Sequence, residues 1–89
     1  MYKAEFYNSF KSDLKRVKKR DCDMLLLEKI MDKLINGNTL EPRYRDHALT
    51  GEYKGYRECH IKPDWLLVYG ISDRTIYFFR TGTHADLFK

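Results

Sequence analysis

Apolar residues recur along the chain with two distinct periods, and each period predicts a different element. In "YKAEFY", Tyr2, Ala4 and Phe6 alternate with Lys3, Glu5 and Tyr7, the pattern of a half-buried strand. Asn8 or Ser9 then offers an N-cap, and Phe10, Leu14 and Val17 follow at i, i+4 and i+7 as the narrow apolar stripe of a first helix. Asp21 and Asp23 break that pattern and supply a fresh cap. Met24, Leu27, Met31 and Leu34, with Ile30 and Ile35, give a second helix a wider apolar face, which "NGN" at 36–38 stops. Through Pro42 to Gly51 no period holds, and a loop containing "YRDHALTG" is expected. Three strands complete the chain: Tyr53 to Ile61, Trp65 to Ile71 and 75–82, separated by turns at "KPD" and at Ser72–Arg74. The middle one is apolar on both faces, as a central strand is. "THADLFK" has room for one helical turn.

This order predicts the α+β class: a first strand, two helices, then three strands forming an antiparallel-rich sheet with helices on one face. The other sheet face is then functional or covered by a partner. No linker or repeat interrupts the sequence, so residues 1–89 are expected to form one domain. No apolar run approaches the roughly 20 residues that span a bilayer, and "MYKAEFYNSF" lacks a signal-peptide core, so no membrane association and a cytoplasmic location are expected.

Charge changes the picture in one place. Residues 11–20, "KSDLKRVKKR", hold six basic residues and one acid, a local +5, so the rest of the chain carries −1 of the net +4. Such a patch suits an anionic partner, although it is equally the composition of a solvated helix face.

The chemistry concentrates further on. "HIKPDWLLVY" crowds His60, Lys62, Asp64 and Trp65 at the mouth of the apolar central strand, and "RTGTH" adds Arg80 and His84 near the C-terminus. Together with "YRDHALTG", these segments resemble the YafQ branch of the RelE/ParE superfamily of bacterial toxins, small ribonucleases of toxin–antitoxin pairs. The likeness is strongest from Tyr44 to Phe88. Three polar motifs in order make it more specific than one short pattern. Through this resemblance His47, His60, Asp64, Trp65, Arg80, His84 and Phe88 match the family's functional positions.

The resemblance implies messenger RNA as substrate, cleaved in the ribosomal A site, with ribosomal RNA and a cognate antitoxin as further partners. It also implies an assembly of two toxins with two antitoxins, and a monomeric free toxin is expected. RNA carries its own nucleophile, the 2′-oxygen, so a base, an acid and a phosphate clamp suffice, with no cofactor. Histidine serves either proton role near neutral pH. His84 is expected as the acid, implied mainly by the resemblance. His60, Asp64 and His47 share the base and orienting roles in an open order, and Arg80 is the clamp. Trp65 and Phe88 are expected to stack on bases or position the strand, with Lys62 beside them. Lys11, Lys15, Arg16, Lys18, Lys19 and Arg20 are expected to grip ribosomal RNA.

Duller readings stand beside these: Asp64 as turn chemistry after Pro63, Trp65 as core or rim, and Phe88 as a pin for the C-terminus. Zinc has suitable ligand types in His47, His60, His84, Asp64 and Cys59. However, Cys59 and His60 are adjacent and would face opposite sides of a strand, so no metal site is expected. Two non-nuclease functions compete: a ParE-like toxin acting on DNA gyrase, and a nucleic-acid-binding corepressor subunit.

Overall fold

The computed structural model describes residues 1–88. Among them five strands form one sheet in the order β1-β5-β4-β3-β2. These are β1 (Lys3–Phe6), β2 (His47–Ala48), β3 (Arg57–Lys62), β4 (Trp65–Ser72) and β5 (Thr75–Gly82), with helices α1 (Asn8–Lys19), α2 (Met24–Ile35) and α3 (His84–Leu87). β1 runs parallel to β5, and every other pairing is antiparallel. The α+β expectation holds: α1 and α2 pack on one face, where Phe10, Val17, Leu27, Ile30 and Leu34 meet Cys59, Ile61, Leu67, Tyr69, Ile76 and Phe78.

Local chemistry explains most boundaries. Asp23 caps α2 by accepting from the Leu26 amide, and Gly37 adopts φ +77° just past its end, a conformation that costs glycine little. The first helix differs from expectation. Tyr7, not Asn8 or Ser9, sits at its N-cap, and the Ser9 hydroxyl instead donates to the Phe79 carbonyl, fastening α1 to β5. The expected loop contains the two-residue strand β2, too short to carry a period. β3 begins at Arg57 rather than Tyr53, because Gly51–Tyr53 forms a 3-10 turn and Gly55 takes φ +100°.

The central strand β4 is buried from Trp65 to Gly70. Its odd-numbered residues Leu67 and Tyr69 join the helix-covered core. Leu66 and Val68 form a smaller core with Leu87 of α3 on the opposite face, against Leu49, Tyr56 and Phe79. A bulge re-phases β5 beside it. Val68 opposes Arg80 and Tyr69 opposes Phe78, so Phe79 is the extra residue. Without it, two-residue alternation would set Arg80 on the face of Ile76 and Phe78. With it, Thr81 lies opposite Leu67 and meets the main core, while Arg80 falls in the row of Val68.

Trp65 and Thr81 illustrate how tightly this junction is specified. The indole N–H donates to the Thr81 hydroxyl at 3.0 Å, and that hydroxyl donates to the Leu66 carbonyl at 2.7 Å, all three groups being buried. Thr81→Val would keep the shape and strand the indole N–H. A destabilisation of about 1–3 kcal/mol is expected, seen as a lower urea midpoint at unchanged slope.

Candidate active site

The sheet register assembles the site on the face opposite α1 and α2. One row of partners crosses four strands: His47 opposes Glu58, Glu58 opposes Val68, and Val68 opposes Arg80. In the neighbouring row His60 opposes Leu66, which opposes Gly82. The result is an apolar floor of Leu66 and Val68, with imidazoles and a carboxylate on one side and Arg80 and the start of α3 on the other.

On the first side, the buried Glu58 is flanked by two histidines. His47 Nε2 lies 3.1 Å and His60 Nε2 3.8 Å from Glu58 Oε2. The Nδ1 edges of the rings are turned to backbone carbonyls, that of Arg45 at 2.6 Å for His47 and that of Pro63 at 3.4 Å for His60. The His47 and His60 ring centroids are 6.1 Å apart. Asp46, the other half of the "DH" pair, holds this loop by accepting from the buried Tyr69 hydroxyl at 2.6 Å and from Arg57 Nε at 3.3 Å. Burial, aided by the Asp46 carboxylate, pushes the Tyr69 phenol well above its ordinary range.

On the other side, His84 opens α3. Its Nδ1 lies 2.6 Å from Asp64 Oδ1, which also accepts from the His84 amide at 3.0 Å. The backbone and ring hydrogen bonds from His84 together draw the Asp64 carboxyl below its ordinary value. The His84 ring stands 5.7 Å from that of His60, centroid to centroid. Asp64, Asp86 and Thr83 thus fix the short helix: Thr83 and Asp86 form a reciprocal capping box. Gly82 makes the approach possible, since a Cβ there would stand 2.8 Å from Asp86 Oδ2 and its φ is +155°.

Arg80 is gripped from behind. Its Nε and Nη2 donate to Asp13 of α1 at 2.6 and 3.2 Å, and this hydrogen bond raises the guanidinium further above its ordinary value. Arg16 spans Asp13 and Asp86, and Arg20 donates to both Asp86 oxygens at 2.7 and 3.1 Å. Arg16 and Arg20 are therefore committed to internal ion pairs, whereas Lys11, Lys15, Lys18 and Lys19 are exposed on the solvent side of α1.

The remaining expected positions divide. Trp65 needs correcting: it is buried with its indole N–H satisfied by Thr81, and so offers no face on which a base could stack. Phe88 is partly exposed and meets Tyr53 edge-on at 5.2 Å, and Lys62 is exposed at the end of β3. Sequence reading overlooked Asp13, Glu58 and Asp46. The i, i+2 spacing of Glu58 and His60 was the available signal for Glu58.

Metal competence follows from the same register. His47, Glu58 and His60 bring three ligand atoms within 4.8 Å of one another. Adjacency does place Cys59 on the opposite face, where burial pushes its thiol up to about 12. The carboxylate beside it supplies the ligand that the sequence argument left out.

The hydrogen bond from Arg20, with those from the Thr83 amide and hydroxyl, holds Asp86 well below the usual carboxylate range. A depressed native value means that the stabilisation is complete above about pH 4 and is lost as pH falls through the native value. Asp86→Asn should therefore lower Tm at neutral pH, and the gap from wild type should close progressively below about pH 4 in thermal melts.

A family model described as "Bacterial toxin of type II toxin-antitoxin system, YafQ" matches residues 2–89. The mRNA interferase toxin YafQ of Escherichia coli K12 is 45% identical over 85 residues, covering 94% of this chain and 92% of that protein. The crystal structure of the E. coli DinJ-YafQ complex superposes with a TM-score of 0.93 at 42% identity, covering all of both chains. A metal-bound toxin from Helicobacter pylori superposes with a TM-score of 0.92 at 42% identity, covering 99% of this chain and all of that one. The chain belongs to the YafQ family of bacterial toxins from type II toxin–antitoxin systems.

Proposed function

We propose that the chain is an endoribonuclease that cleaves messenger RNA by internal attack of a 2′-oxygen on the adjacent phosphorus. The observation that carries this reading is the succession Asp64, His84, His60, Glu58 and His47, five acid–base groups that follow one another along one end of the sheet face. An ion-pair network built only for stability has no need of three imidazoles at successive spacings of about 6 Å.

In this mechanism His60 Nε2 removes the 2′-hydroxyl proton while Nδ1–H faces the Pro63 carbonyl, and Glu58, beside Nε2, stabilises the imidazolium that results. The 2′-oxygen bonds to phosphorus, the P–O5′ bond breaks, and protonated His84 delivers its Nε2 proton to the departing 5′-oxygen. Asp64 accepts from His84 Nδ1 and so orients the ring, a role that turn chemistry after Pro63 does not exclude. Arg80 meets the charge accumulating on the phosphoryl oxygens, His47 supports Glu58 from the far side, and Phe88 supplies an exposed ring to position the strand. Atoms balance without water or metal, and the products are a 2′,3′-cyclic phosphate and a 5′-hydroxyl.

The E. coli relative was crystallised with DinJ, and a cognate antitoxin is inferred here as the partner that covers this open face, two toxins assembling with two antitoxins. The ribosomal A site is inferred as the place of cleavage, with Lys11, Lys15, Lys18 and Lys19 meeting ribosomal RNA phosphates.

Ribosomes programmed with a translated message provide the test. Wild type should leave 2′,3′-cyclic phosphate ends identifiable by mass spectrometry, and His84→Ala should cut about 10²–10⁴-fold more slowly. Equal cutting by both would refute the assignment of His84. A transition-metal ion at His47, Glu58 and His60 would occupy the nitrogen needed as base. Added Zn²⁺ should therefore slow cleavage in wild type, and the effect should be weaker in His47→Ala; acceleration by Zn²⁺ would contradict a metal-free reaction.

A further inference from the structure

The single acid in the basic run of α1 is also the helix's most deeply placed polar group. Asp13 is 1% exposed, on the face of Phe10 and Val17. Its Oδ2 accepts from Arg80 Nε at 2.6 Å and from the Thr81 amide at 3.1 Å, and its Oδ1 accepts from Arg80 Nη2 at 3.2 Å. Arg16 Nη1 adds a contact to Oδ1 at 3.5 Å. A carboxylate at that depth is costly to leave unpaired, so it holds its guanidinium firmly.

The geometry of this grip has a direction. A guanidinium carries five N–H groups in one plane. Asp13 takes the Nε–H and one N–H of Nη2. Planarity then leaves the two N–H groups of Nη1, and the second of Nη2, directed away from Asp13. Arg80 itself lies in the row of His47 and Glu58, two residues before the Gly82 that faces His60 across Leu66. A phosphate bound on this face would meet a fork whose plane is already fixed.

We propose that Asp13 is a positioning residue for RNA cleavage: it holds the Arg80 guanidinium so that its outer N–H groups receive the phosphoryl oxygens in the transition state. The proposal rests on the ribonuclease reading above. It also distinguishes Arg80 from a lysine, which has the charge but no second edge with which to bind carboxylate and phosphate together.

The test is a double-mutant cycle of Asp13→Asn and Arg80→Lys, measured by single-turnover cleavage of a ribosome-bound message and by steady-state kcat and KM. Asp13→Asn retains an oxygen for the Thr81 amide but loses the charge. It should lower kcat about 10–100-fold with KM little changed, because a transition-state interaction is weakened. In the Arg80→Lys background it should cost little more, since both changes act through one fork. Nitrogen-15 NMR supplies a readout independent of cleavage: the Arg80 Nε–H should exchange slowly in wild type and rapidly in Asp13→Asn. Should Asp13→Asn fail to fold, Asp13→Glu keeps the buried charge while shifting the fork by one methylene, and it too should lower kcat.

A folded Asn or Glu variant with wild-type kcat, independent multiplication of the two losses, or a fast-exchanging Nε–H in wild type would each overturn the proposal. Failure of the ribonuclease reading would show separately, as absence of cleavage in the wild-type reaction alone, and the proposal would fall with it.

Discussion

Everything on the open face depends on β4 being buried on both sides. A strand that feeds two cores has no place for polar chemistry of its own, so the polar groups of this face come from its neighbours β3 and β5 and from the segments that leave them. Leu66 and Val68 then become the dry floor between two polar walls. The order of strands therefore settles which side chains meet, before any individual contact is considered.

Most of the charged groups near the site are organised in depth rather than scattered. Asp13, Arg16, Asp86 and Arg20 link α1 to β5 and α3. Pairs with a part-exposed guanidinium, as Arg16 and Arg20 have, contribute modestly apiece, while the buried Asp13 is costly to leave unpaired. Here they converge on Arg80 and on the helix that begins with His84, so their consequence lies in geometry more than in stability. The basic helix consequently has two surfaces with separate duties: lysines outward, and guanidiniums and a carboxylate inward.

The strands β4 and β5 and the helix α2 were legible because burial imposes long, regular apolar patterns on them. The site was legible where a motif gathered unusual residue types, as in "HIKPD" and "RTGTH". Other features left little trace. β2 is two residues long and has no period. The bulge at Phe79 changes the face of Arg80 without changing the local composition. Asp13 is an acid among six bases and reads as solvated surface until tertiary packing buries it. Glu58 is hidden for the opposite reason, being an ordinary strand residue until β2 brings His47 against it. Trp65 shows the limit of motif reasoning: a base-stacking role was expected from its place beside Asp64, yet its indole is buried in the main core and bonded to Thr81.

The sheet's flanks carry a consequence for solubility. Its outermost strands are four and two residues long, so each offers few unpaired amides and carbonyls to another chain. Where β2 ends, the uncovered margin of β3 runs into a register shift between His60 and Lys62, closing with a lysine. Short, kinked and charged margins are how β-proteins discourage sheet-to-sheet growth. This molecule can thus hold one face of its sheet open for chemistry without turning the sheet into a template for fibres.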